Sequence, residues 1–390
     1  MRCLQLFLLA LWISSIVACK PADNQDQTSA FEAHFEFLDS VKIASLAPLF
    51  LSDVDASGRM LLNDWYLEHI YVTDRDGSVS AAFEASGEGP DQVSSPVEVA
   101  FWEEGLLIKE MSPTQSIHIF NGNFKKIQKS PALAIDLVYL TIPNMGKSFS
   151  TTKKDDKTVI IGSEINVLSI ELLQTNNASF YESAEAGYIF TVETGELVRF
   201  NPFPANWEPR KNKKWVGNQL PIMQLSQQGK ILAILPTYGD QLFFYAFDSN
   251  QPDALFDLKL VHPERSGDMA YDANEDDSRV YPFFNKLYSG DNYLLAEFST
   301  AFPKTLLESF KMRGNALMTD PEYLKAMETY GKSKYILVDT KGNQAAISEL
   351  PREGSIQYMD ADNVIYIKPK EDVESDFNVF YRYRVSLRQP

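Results

Sequence analysis

Short apolar segments alternate with polar turns along almost the whole chain after residue 50. One unit recurs six times: a turn rich in Gly, Asp, Asn or Lys, an apolar strand, a second strand, a hairpin turn and a third strand. Such runs bounded by turn residues are typical of β-strands. The units begin in DVDASGRMLLND from Asp53, VEVAFWEEGLLIKE from Val97, FSTTKKDDKTVIIGS from Phe149, LSQQGKILAILPT from Leu225, LYSGDNYLLAEFS from Leu287 and YMDADNVIYIKPK from Tyr358.

Six β-units in succession predict an all-β protein with the architecture of a six-bladed β-propeller. Blades packed side by side bury both of their faces. Segments such as 231–235 and 335–338 are accordingly apolar at every position instead of alternating. Two smaller β-domains in sequence are the alternative.

The ends of the chain indicate how the ring closes. The last unit stops one strand short, after VFYRYRVSL, whereas residues 31–46 form a spare β-like segment before the first unit. We expect this N-terminal strand to complete the final blade, because closure leaves only short edges exposed.

A small helical insertion is predicted near residues 301–330. Asp320 is suited to cap a helix that starts at Pro321 and stops at Gly331. The segment LLESFKMRG before it favours a second short helix. A lid on one end of the ring and a docking device for a partner are both open interpretations.

Composition limits the class of partner and the chemistry. The 390 residues are 44% hydrophobic and carry a formal net charge of -17. Nucleic acid is excluded as a partner, because phosphate backbones require a basic surface. Only two cysteines occur, Cys3 and Cys19, both in the N-terminal segment, so the rest of the chain offers neither a disulfide nor a thiolate site.

The N-terminus predicts export. Arg2 precedes an apolar run at 4–17, which is shorter than the ~20 residues needed to span a bilayer. We therefore assign residues 1–18 to a signal peptide. Ile-Val-Ala-Cys, ending at Cys19, resembles a bacterial lipobox, which implies lipidation of Cys19. Residues 19–30 are polar and are expected to form a flexible tether, and residues 31–390 the propeller domain. An ordinary signal peptide with an incidental cysteine is the alternative.

The stretch GEGPDQVSSP, residues 87–96, is expected to join two blades. No Lys follows its glycines, and Asp91 would repel a phosphate. GEGP at this place resembles the inter-blade loop of NHL-type and related propellers. Together with the lipobox and the repeats, it resembles uncharacterised six-bladed (NHL/TolB-like) lipoproteins of the Bacteroidota. That resemblance implies anchoring to the outer membrane through a lipid, on the periplasmic or cell-surface side.

Two segments are candidate ligand sites. Aromatic and basic side chains at 202–217 could hold a sugar or an anionic glycan, although a solvated loop anchored by tryptophan is the alternative. This set comprises Trp207, Arg210, Lys211, Lys213, Lys214 and Trp215. The segment DANEDDSR begins like a calcium loop at Asp272, Asn274 and Asp276 but lacks its Gly and final Glu. A looser Ca²⁺ site and a solvated acidic loop remain as interpretations, and no other cofactor is expected.

No catalytic motif of the hydrolase or zinc-peptidase type occurs in the sequence. Of the four histidines, His69 and His118 stand at different distances from the Gly of their turns, which disfavours a histidine metal site around the channel. We therefore expect a binding module for a glycan, peptide or protein, without catalysis. The alternative is a metal-dependent propeller hydrolase, lactonase or lyase with carboxylates at the channel mouth.

Overall fold

A ring of six β-sheets makes up the protein, as seen in a computed structural model. In the described part of the chain, 24 strands form six four-stranded antiparallel sheets that follow one another in sequence. Inner strands of different sheets meet around one central cavity. The predicted all-β six-bladed β-propeller is confirmed. The structure describes residues 31–103, 105–136, 138–139, 147–226, 228–247, 252–265, 278–311, 319–370 and 376–390.

Each of the first three blades runs from its inner to its outer strand in chain order. Blade 1 comprises β2 (Phe50–Val54), β3 (Met60–Asn63), β4 (His69–Thr73) and β5 (Val79–Glu84). Blade 2 comprises β6 (Pro96–Trp102), β7 (Gly105–Glu110), β8 (Ile117–Phe120) and β9 (Lys126–Lys129). Blade 3 comprises β10 (Phe149–Lys154), β11 (Lys157–Ser163), β12 (Gly187–Thr191) and β13 (Glu196–Phe200).

The next two blades repeat this order, and the last blade borrows its outer strand. Blade 4 comprises β14 (Ile222–Ser226), β15 (Ile231–Leu235), β16 (Gln241–Ala246) and β17 (Asp253–Lys259). Blade 5 comprises β18 (Phe283–Ser289), β19 (Tyr293–Ser299), β20 (Ser333–Asp339) and β21 (Gln344–Ile347). Blade 6 comprises β22 (Gly354–Met359), β23 (Val364–Pro369), β24 (Phe377–Arg388) and β1 (Glu32–Ala44).

The ring closes through β1, as the spare N-terminal strand predicted. β1 pairs antiparallel with β24 from Glu32 opposite Arg388 to Ala44 opposite Phe377. Asp39 and Arg382 add an ion pair across the two strands at 2.5 Å. Closure therefore ties the beginning of the domain to its end.

Five short α-helices lie in the described residues: α1 (Ile170–Leu173), α2 (Phe180–Ser183), α3 (Glu208–Lys211), α4 (Lys304–Lys311) and α5 (Pro321–Thr329). Single 3₁₀ turns occur at Ile165–Val167, Pro263–Arg265 and Ser278–Val280. The predicted insertion is confirmed as α4 and α5, and the Asp320 side chain accepts hydrogen bonds from the amides of residues 322 and 323. None of the described helices combines the length and apolar character needed to cross a bilayer.

The hydrophobic core lies between neighbouring blades. Leu107 and Ile119 of blade 2, for example, pack with Ile160 and Phe190 of blade 3 in one buried cluster. Such packing on both faces explains why the central strands of each blade are apolar at consecutive positions. β15 is buried along its whole length.

The ring has two different faces. One side of the ring carries the links between blades and the connections between the second and third strands of a blade, and we call it the loop face. The opposite side, which carries the hairpin turns, is the turn face. All five helices belong to loop-face connections, whereas the described turn-face connections are short. β1 runs from the turn face to the loop face, because it is an outer strand that leads into blade 1. The start of β1 at Glu32 therefore lies on the turn face.

Candidate functional site

A central cavity of about 860 Å³ runs along the axis of the ring. All six inner strands, β2, β6, β10, β14, β18 and β22, contribute to its wall. Its volume falls within the range of about 300–1,000 Å³ that is typical of ligand pockets. Many of the lining side chains are hydroxyls and amides, among them Ser52, Ser150, Thr151, Gln224, Asn285 and Gln357. Large apolar residues such as Leu220, Met223 and Met359 lie between them, so the wall of the open channel is mixed in polarity.

An ion pair joins several blades on one side of this cavity. The Asp53 carboxylate accepts hydrogen bonds from the Phe101 amide at 2.8 Å and from Lys147 Nζ at 3.0 Å. Lys147 Nζ also lies 4.7 Å from the ring centre of Tyr358. The Asp53 carboxylate and the Lys147 ammonium are therefore held in place by groups from blades 6, 1 and 2 and from the link into blade 3.

A second polar cluster lies beside the first, between blades 2 and 3. The Glu98 carboxylate accepts hydrogen bonds from the Ser148 amide at 3.0 Å and from Ser148 Oγ at 2.6 Å. Ser148 Oγ in turn accepts one from Lys109 Nζ, which forms a buried ion pair with Glu164 at 2.8 Å. Burial raises the pKa of Glu98, although Lys109 and Ser148 oppose the shift.

Hydrogen bonds between blades fix further side chains of the wall. Ser150 Oγ of blade 3 donates to Gln224 Oε1 of blade 4 at 2.9 Å. Ser226 Oγ of blade 4 donates to the Gly290 carbonyl of blade 5 at 2.7 Å. Because these donors and acceptors are held by neighbouring blades, the wall is arranged before any ligand enters.

At the loop-face end of the cavity, one aromatic side chain of the wall contacts an exposed tryptophan outside it. Phe50, at the start of β2, lines the cavity, and its ring centre lies 5.3 Å from that of Trp65. Trp65 is 44% exposed and the adjacent Tyr66 67%. An aromatic surface therefore adjoins a wall of hydrogen-bonding groups, an arrangement suited to molecules with both apolar and polar faces.

Large exposed apolar side chains concentrate on the loop face. In the described residues, most of them occur in loop-face connections and none in a turn-face connection; the others lie on strands. Members of the loop-face group include Leu46, Tyr66, Ile135, Tyr139, Ile170 and Leu324. On α5, Leu324 and Met327 are half exposed, whereas Tyr323 is buried. The loop face is thus the more apolar of the two faces in the described residues.

The predicted tryptophan site forms part of the interior. Trp207 is 3% exposed, stacks on Phe203 and donates from Nε1 to the Tyr238 carbonyl at 3.1 Å. Trp215 is partly buried and stacks on Tyr181, with ring centres 5.5 Å apart. The structure thus brings the two tryptophans into one aromatic cluster, and a sugar stacked on Trp207 would have to displace that packing.

The basic residues of the same segment differ in their surroundings. Arg210 pairs with Glu182 at 2.8 Å and also donates to the Phe203 carbonyl. Lys211, Lys213 and Lys214 are exposed. Arg210 therefore stabilises the loop, and anion binding by the three lysines stays a prediction.

Several predicted sites lie outside the described residues. These are the signal peptide, the tether with Cys19, and the calcium candidates Asp272, Asn274 and Asp276. Within the described residues, Asp64, Glu68 and His69 on the loop face have ligand atoms within 4.8 Å of one another. Asp64 already accepts hydrogen bonds from the amides of Glu68 and His69. None of the four histidines lines the cavity.

Comparison with known proteins supports the fold. No family model matches the chain, and no curated protein matches it. A solved member of a DUF4221 family from Bacteroides vulgatus ATCC 8482 is similar with a TM-score of 0.64 at 10% identity, over 92% of this chain and 99% of that one. A "Putative exported protein" from Bacteroides fragilis NCTC 9343 is similar with a TM-score of 0.49 at 8% identity, over 94% and 98% of the two chains. The first similarity shows a shared propeller fold.

Proposed function

We propose that this protein is an envelope lipoprotein whose propeller binds a ligand in its central channel: a glycan, a peptide or a segment of a partner protein. The observation that carries the proposal is the cavity of about 860 Å³, built by all six inner strands and lined by both hydrogen-bonding and apolar side chains. The concentration of exposed apolar side chains on the loop face supports entry or docking from that side.

The carboxylates of the wall favour binding over catalysis. Asp53 and Glu98 are engaged as described above, and Asp55 accepts hydrogen bonds from Ser57 and Arg59. A general base or metal ligand needs an oxygen that can reach substrate or ion. In these three residues the carboxylates are instead used to hold neighbouring loops. Stoichiometric divalent metal in purified protein would favour the hydrolase alternative.

Anchoring through Cys19 fits the direction of β1. The tether of residues 19–30 would span at most about 40 Å, and it reaches the domain on the turn face. A lipid on Cys19 would therefore keep the turn face towards the outer membrane and present the loop face away from it. A Cys19→Ala variant should leave the membrane fraction, and protease treatment of intact cells separates a periplasmic from a cell-surface position.

Blocking the channel tests the binding proposal. Thr151 lines the cavity, so Thr151→Trp should place an indole there and weaken binding of any array-identified glycan or peptide at least about tenfold. Thr194→Trp, in an exposed turn-face hairpin, is the matched control and should bind as the wild type does. If Thr151→Trp is folded and binds with unchanged affinity, the ligand does not use the channel.

A further inference from the structure

The charged groups that line the channel are not all neutralised by the protein. Among the ammonium groups, Lys147 is paired with Asp53, and Lys153 forms an ion pair with Glu103 near the turn face. The lining carboxylates likewise accept hydrogen bonds from protein groups. Asp291, for example, accepts one from the Gln228 amide. Each of these charged groups therefore has an ion-pair or hydrogen-bond partner within the chain.

Lys286 of β18 is the exception among the described residues. It lines the cavity and is partly buried, yet no carboxylate lies within 4.0 Å of its ammonium, and it makes no hydrogen bond to the described part of the chain. Its neighbour across the sheet is Glu297. That carboxylate is already occupied by the hydroxyls of Tyr288 at 2.8 Å and Ser333 at 2.6 Å.

A partly buried ammonium that makes no ion-pair contact within the protein can form one with a ligand anion in the channel. Hydroxyl and amide groups elsewhere on the wall suit a molecule rich in hydroxyls, and Phe50 and Trp65 suit the apolar face of a sugar ring. We propose that the channel binds a polyhydroxylated ligand with one anionic group, a carboxylate or a sulfate ester, and that Lys286 pairs with that group. This inference rests on the proposed function of the channel.

The charge of the whole protein restricts the ligand further. A net charge of -17 repels polyanions over long distances, and in the described wall only one ammonium lacks a partner. A single isolated anionic group is consistent with both facts. Heavily sulfated or phosphorylated polymers should therefore bind poorly.

The first experiment needs no ligand. Lys286→Met removes the unpaired charge and keeps much of the side-chain volume, so the free protein should melt at the same temperature as the wild type or higher. Lys341→Met, in an exposed hairpin of the turn face, is the matched control. A melting temperature clearly below that of Lys341→Met would mean that Lys286 has a partner within the protein, which would overturn the inference.

The second experiment uses paired sugars. Neutral oligosaccharides are compared with their uronate and sulfated counterparts on an array, and the hits are measured by calorimetry. At least one acidic member should bind about tenfold or more tightly than its neutral counterpart, and the uronate and sulfate arms show which anion is preferred. Lys286→Met should abolish that preference, whereas Lys286→Arg and Lys341→Met should retain it.

The outcomes separate the two proposals. Equal affinity for acidic and neutral counterparts, or a preference that survives in Lys286→Met, would overturn the role of Lys286 while leaving a ligand-binding channel. Binding of peptides alone would overturn the sugar chemistry only. Absence of binding to every glycan and peptide probe would count against both proposals.

Discussion

Ring closure makes β1 essential to stability, and Ile43 is the residue that tests this best. Its side chain is fully buried and packs with Leu49, Leu51 and Phe380 where blade 6 meets blade 1. Ile43→Ala removes most of an aliphatic side chain from this close-packed contact. Substitutions of this kind cost about 2–5 kcal/mol, the transfer energy plus the cavity left behind. Because the site is enclosed by two blades, we expect a cost of about 3 kcal/mol.

The matched control is Ile127→Ala. Ile127 lies on β9, the outer strand of blade 2, and is 54% exposed, so its truncation should cost at most about 0.5 kcal/mol. The free energy of unfolding is measured for both variants by urea denaturation, and limited proteolysis reports whether β1 detaches first. If Ile43→Ala loses no more stability than Ile127→Ala, β1 does not contribute to closure as described and the reasoning fails.

Two further predictions concern the loop-face insertion and the channel. Asp320→Ala removes the cap of α5 and should destabilise that helix by about 1 kcal/mol, seen as faster amide hydrogen exchange at 322–329, while exposed Glu328→Ala should leave exchange there nearly unchanged. Burial raises the pKa of Glu98, so the folded protein holds that proton at a higher pH than the unfolded chain does, and this contribution to stability falls as pH rises through the raised pKa. Glu98→Gln should remove this part of the pH dependence; identical stability–pH curves for variant and wild type would contradict the assigned shift.

Local sequence patterns were sufficient to predict most of the fold. Turn residues at fixed positions before apolar strands marked the six units, and a count of strands showed that blade 6 lacked one. Gly58 suits its turn because its φ is +85°, a left-handed conformation that glycine adopts without strain. Gly105 occupies a comparable position for another reason: a Cβ there would lie 1.9 Å from the Phe120 carbonyl oxygen. Close approach between strands depends on pairing, which the turn sequence alone does not show.

The channel was harder to predict, because its side chains come from six distant segments. The local sequence does not distinguish Trp207 from Trp65. Trp207 is buried by Phe203 and Tyr181, whereas Trp65 is half exposed beside the cavity. Their exposure is decided by neighbouring loops far away in the chain. One signal was present: Lys109 and Lys286 each stand in a strand that also carries large apolar residues. A charge at such a position indicates either a buried ion pair or a cavity, and here the two lysines provide one example of each.

The division of the ring into two faces follows from the number of strands in a blade. Four antiparallel strands return the chain to its starting side, so every link between blades lies on the loop face, where lengthening a link does not disturb a hairpin. Closure by β1 adds a further constraint. As an outer strand, β1 must begin on the turn face if it is to end at the link into blade 1. Insertions and N-terminus are thereby placed on opposite sides. A propeller built in this way presents its helical insertions on the side opposite to the start of β1.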